Sequence, residues 1–157
     1  MSADLTTEFV KGQLIPLIKE SFDEAQGAFL DKNTSLTQTL ANISAAQASR
    51  SIVPGGTCIA GHVEHIRFYL KVMNDYMDGK NLEKLDWSQS WLCKGVTESE
   101  WKVLNENITL DYQQLLERLN SFTDLSDERK FGGIASIIAH TAFHLGAIRQ
   151  MLLVVRK

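Results

Sequence analysis

At 157 residues, with 44% hydrophobic and 22% charged side chains, the chain has the size of one domain and enough apolar material to bury a core without staples, so one domain over 1–157 is expected. A formal charge of −3 and a pI near 5.8 give no positive field to attract a phosphate backbone, and with no basic stripe on any segment, nucleic-acid binding is disfavoured. No stretch approaches about 18 uninterrupted apolar residues, and the start, MSADLTTEFVKGQ, lacks the basic and apolar blocks of a leader peptide; a cytoplasmic protein without a membrane span is expected, with Cys58 and Cys93 as free thiols.

Apolar residues recur with a period near 3.6, beginning with Phe9, Leu14, Leu17, Ile18, Phe22, Ala25 and Phe29. They predict a first helix at roughly 4–30, kinked or divided at Pro16, which removes one backbone hydrogen bond. A shorter amphipathic piece at 34–47 carries Leu36, Leu40, Ile43 and Ala46. The breaker cluster Ser51 to Thr57, with Pro54-Gly55-Gly56, then launches a long helix. Thr57 is the expected N-cap, and the helix should run to Met77 or Asp78 with Gly79 as its stop.

Residues 80–96 read as an ordered loop, because Trp87 and Trp91 are large enough to pack back onto the body. Thr97-Glu98-Ser99-Glu100 has the form of a capping box, and the stripe Trp101, Leu104, Ile108, Tyr112, Leu115, Leu116 and Leu119 continues to about 121. Ser126 or Gly132 opens the last helix, whose inner face includes Ile134, Ile137, His140, Thr141, His144, Ile148 and Met151. Four long helices, one short extra helix and no alternating Val/Ile/Thr runs predict an all-α protein, a four-helix bundle.

The most informative segment is His140-Thr141-Ala142-Phe143-His144. H-x-x-x-H on a helix stacks two imidazoles one turn apart, so two nitrogens can grip one ion. A bare pair is equally explained by core histidines hydrogen-bonded to other helices. The second long helix strengthens the metal reading: Ile59, His62, Ile66, Tyr69, Met73 and Tyr76 form its inner stripe and add a third core-facing histidine.

His62, His140 and His144 would leave a coordination position for water or substrate, as in three-histidine zinc enzymes. Imidazole suits zinc, nickel, iron and copper alike, so zinc stands first only because it is common. His65 competes with His62, but it lies about 60° from the stripe centre by helical geometry, and His62 is preferred. Cys58, one turn before His62, could be a fourth ligand, a reactive thiol or a small buried hydrophobe. The chain has no H-E-x-x-H, no paired E-x-x-H, no phosphate-binding glycine loop and no G-x-S-x-G elbow. Zinc protease, di-iron, nucleotide and serine-hydrolase readings lose support.

Two stretches, Ile59 to His65 and His140 to Gln150, resemble the DinB-like, or YfiT-like, metalloenzyme superfamily. There, one histidine on an early helix joins an H-x-x-x-H pair on the last, and the pair continues into a small residue and Ile-Arg, as in Gly146-Ala147-Ile148-Arg149 here. The resemblance implies an up-down-down-up four-helix bundle, metal ligands at His62, His140 and His144, and a homodimer. It also implies transfer or isomerisation chemistry with low-molecular-weight thiols.

The leading expectation is a metal-dependent transferase or hydrolase acting on a small molecule, with one divalent ion, zinc before nickel or iron. The alternative is a non-enzymatic, metal-stabilised dimeric binding or stress-related module. Arg149 is a candidate anion contact and otherwise a solvated or ion-paired helix residue. Trp87, Trp91 and Trp101 could roof the metal pocket, although ordinary packing is the simpler role for them.

Overall fold

Most of the helices begin where a side chain can accept an otherwise orphaned backbone N–H. The computed structural model of the chain describes residues 6–156, so the first two residues of the predicted opening helix lie outside the described residues. Thr6 caps α1 (Thr7–Phe22) by accepting from Phe9 N at 3.1 Å. Ser35 with Gln38 caps α2 (Leu36–Leu40), and Ser44 with Gln47 caps α3 (Ala45–Ser49), each pair forming a reciprocal capping box. α4 spans Ile59–Met77, a 3-10 turn spans Trp87–Trp91, α5 spans Glu98–Ser121 and α6 spans Glu128–Val155. Among the described residues there is no strand.

The first helix is shorter than expected, and Pro16 sits inside α1 without dividing it. The chain turns away after Phe22 because the buried Glu20 carboxylate accepts the N–H groups of Gly27 at 2.6 Å, Ala28 at 2.8 Å and Phe29 at 3.0 Å. Gly27 makes this possible by taking φ +96°. Phe29, expected on the inner stripe, is exposed as a result, and Phe9, in the first turn of α1, is exposed as well. The predicted element at 34–47 is two short helices, since the second capping box starts a new one at Ser44.

Cys58, not Thr57, occupies the N-cap of α4 and makes no side-chain cap bond. The Thr57 hydroxyl is buried without a partner. Gly79, at φ +74°, follows α4 as expected. Thr97 and Glu100 form the predicted capping box of α5. Asp127 caps α6, in place of Ser126 or Gly132, by accepting from Arg129 N.

α4 packs along α6 and also against α5, while α1 packs against both α6 and α5. Ile18, Ile59, Ile66, Leu115, Ile134 and Ile137 are completely buried between these helices. Each such side chain contributes on the order of 1.5–3 kcal/mol relative to exposure. Trp101 ties α5 to the α2–α3 connection by donating its indole N–H to Ile43 O at 2.7 Å. α6 is long and apolar enough by composition to cross a bilayer, yet its inner face, including Ile137, Thr141, Leu145 and Ile148, is buried in this core.

Candidate metal centre

Two spacings bring the chain's four histidines to one place. His62 and His65 are three residues apart on α4, and His140 and His144 are four apart on α6. Both spacings put side chains on one helix face, and the α4–α6 contact sets the two faces together.

The three whose ligand nitrogens all lie within 4.8 Å of one another are His65, His140 and His144. His65 Nε2 is 3.0 Å from His140 Nε2. His62, preferred over His65 on helical geometry, adjoins the group through His144, with the two Nδ1 atoms 2.9 Å apart. The expected exposures of the α4 pair are reversed: His65 is 7% exposed and His62 only half-buried. The covered arc of α4 is wider than the strip facing α6, because the Trp87–Trp91 turn also packs on this helix.

Aromatic rings hold two of the imidazoles flat. Trp91 stacks on His65 with centroids 3.9 Å apart and 17° between planes, and Tyr69 stacks on His140 at 3.6 Å and 7°. Trp91 therefore covers the cluster, while Trp87 lies against Phe68 and Tyr69 and Trp101 is engaged elsewhere. His65 Nδ1 meets the hydroxyl of Ser90 at 2.7 Å. The sequence reading misses Ser90; the signal that points to it is Asp86, which caps the turn by accepting from Ser88 N at 3.0 Å, the turn in which the Ser90 hydroxyl donates to Trp87 O.

Electrostatics keep the cluster neutral. Burial disfavours the imidazolium, and each ring would also feel its neighbours' charge. Burial lowers the pKa of His62. Burial and then His62 push His65 to about 4, burial and then His65 push His140 to about 4, and burial followed by the other three rings pushes His144 to about 3. At neutral pH the four rings offer lone pairs, the form a metal binds.

The donor set fits a divalent ion. Two nitrogens each about 2.0–2.1 Å from one ion, at roughly tetrahedral to octahedral angles, are about 2.8–3.4 Å apart, a range that includes the His65–His140 separation of 3.0 Å. The fit uses Nε2 of His140, and its Nδ1, buried with no hydrogen-bond partner, is then the nitrogen that carries the ring's proton.

The remaining candidates lie apart. Cys58 is buried with its Sγ directed at Cys93 O, 4.0 Å away, and both thiols are free. Arg149 lines a polar groove of about 470 Å³ with Gln38, Gln150 and Arg156, where its nearest carboxylate is Asp31 at 3.9 Å. No family model, curated protein or solved structure matches the chain.

Proposed function

We propose that the chain is a DinB-like helical bundle that holds one divalent ion, zinc first and nickel or iron after it, on His65, His140 and His144 and uses it on a small molecule. The observation that carries this reading is the convergence on one point of three neutral imidazoles from two helices, those of His65 and His144 buried and that of His140 half-buried. A bound divalent ion supplies Lewis acidity, lowering the pKa of a thiol or water presented to it. The chain's own residues hold the rings in place and keep bulk water from them through Trp91 and Tyr69.

The contacts of α1 with α6 and α5, and of α4 with the same two helices, support an up-down-down-up four-helix arrangement. Exposed Phe143 and Leu153 on α6, at 72% and 64%, favour a homodimer. A low-molecular-weight thiol is the substrate class to test first, by assaying zinc- and nickel-loaded protein across thiols and electrophiles. Metal-dependent conjugation is the expected result, and none across the panel would remove the transferase version.

A second reading follows from His62. Its contact with His144 offers a fourth nitrogen, and four protein donors are the mark of a structural site. A cobalt-substituted sample whose visible spectrum ignores added thiol would favour this metal-stabilised, non-enzymatic module.

A further inference from the structure

We propose that Ser90 is a positioning residue of the metal centre, holding His65 in the tautomer that carries its proton on Nδ1 and turns the Nε2 lone pair toward the other histidines. The proposal rests on the metal-binding reading above, which it deepens.

Proton accounting at Ser90 selects the tautomer. The Trp87 carbonyl can only accept, and the Ser90 hydroxyl lies 2.7 Å from it, so the single Ser90 proton is committed there. The same hydroxyl lies 2.7 Å from His65 Nδ1. With its proton already used, the oxygen can only accept from the ring, which must therefore be protonated at Nδ1. A neutral imidazole with Nδ1–H keeps its lone pair on Nε2, the atom that faces His140 Nε2 at 3.0 Å.

Little freedom remains to undo this. Ser90 is 1% exposed, so water does not compete for its bonds. Trp91 stacks on the ring and opposes its rotation. The chain just beyond the turn is pressed onto α4, since a Cβ at Gly61 would stand 2.8 Å from Cys93 O. Ligating histidines commonly donate their second N–H to such an acceptor, and removing it costs about 10–100-fold in metal affinity.

The test uses ¹⁵N-labelled protein, with long-range proton–nitrogen correlation spectra of the metal-free form and zinc affinity by competition with a chromophoric chelator. The expected wild-type spectrum shows His65 protonated at Nδ1. Ser90→Ala should shift it toward the Nε2-protonated tautomer and weaken zinc binding about 10–100-fold, and Ser90→Thr, which keeps the hydroxyl, should restore both. Wild-type protein with the proton on Nε2 of His65, or Ser90→Ala protein that binds zinc as tightly as wild type, would overturn the role of Ser90. Wild-type protein that binds no zinc would overturn the underlying metal reading instead.

Discussion

His62 Nδ1 and His144 Nδ1 lie 2.9 Å apart, close enough that one ring donates and the other accepts. If His144 gives the lone pair of its other nitrogen to a metal, His62 serves as its acceptor and orients it, whereas His65 meets His140 and His144 directly. The two α4 histidines should therefore differ on substitution. His62→Ala should weaken zinc binding about 10–100-fold, and His65→Ala, which removes a ligand, should weaken it more. Isothermal titration of both variants checks the order, and a larger loss for His62→Ala would return His62 to the ligand set.

Gly61→Ala should couple the fold to the site. The added methyl would press on Cys93 O at 2.8 Å and crowd Thr57, and a backbone carbonyl cannot swing aside as a side-chain tip can. Overpacking of this kind costs about 1–3 kcal/mol. The strain falls on the segment that carries Ser90 and Trp91, so thermal stability and zinc affinity should drop together. A variant with wild-type values for both would show that the segment is not held against α4 as described.

The boundaries that were legible in the sequence belong to helices with local punctuation. Thr97 and Glu100 announce α5 because the capping box satisfies the orphaned donors within four residues. The H-x-x-x-H pair was visible because a single helix carries both rings. The α1 boundary was not legible, since it depends on Glu20 reaching forward to the backbone of Gly27 to Phe29, and periodicity does not register a buried carboxylate. Helical geometry ranks His65 behind His62 for a related reason. A helical wheel finds one buried strip, whereas α4 is covered by both α6 and the Trp87–Trp91 turn.

Glu20 itself yields a stability prediction. Burial alone would raise its pKa, but the backbone N–H groups of Ala28, Phe29 and Gly27 outweigh that and hold it below the ordinary carboxylate value. Hydrogen bonds to a charged group are each worth about 1.5–3 kcal/mol. Glu20→Gln keeps an acceptor but loses the charge, so chemical denaturation should show a loss of at least about 1.5 kcal/mol. An unchanged midpoint would mean that the 23–34 loop does not depend on this carboxylate.

Acid should destabilise the metal-free protein before its carboxylates titrate. All four histidines have folded-state pKa values below the ordinary 6.5, with three at about 3–4. Between about pH 6.5 and 4.5 the unfolded chain therefore binds protons that the folded chain refuses, so stability is fully present above pH 6.5 and declines as the pH falls. The carboxylates with resolved shifts lie below their ordinary values of 4.5 or 3.8, so their effect comes at lower pH. Urea unfolding at stepped pH should show this decline in wild type and much less of it in a His140→Ala/His144→Ala variant. Equal declines would place its origin outside the cluster.

Whether one ion sits among these histidines is tested most directly by metal content from elemental analysis. The measurement compares untagged wild-type protein with the His140→Ala/His144→Ala variant, both as purified and after reconstitution with zinc and desalting. About one equivalent of a divalent metal in wild type and almost none in the variant is the predicted result. No metal in either, or equal metal in both, would contradict it and reduce the four histidines to a neutral hydrogen-bonded core.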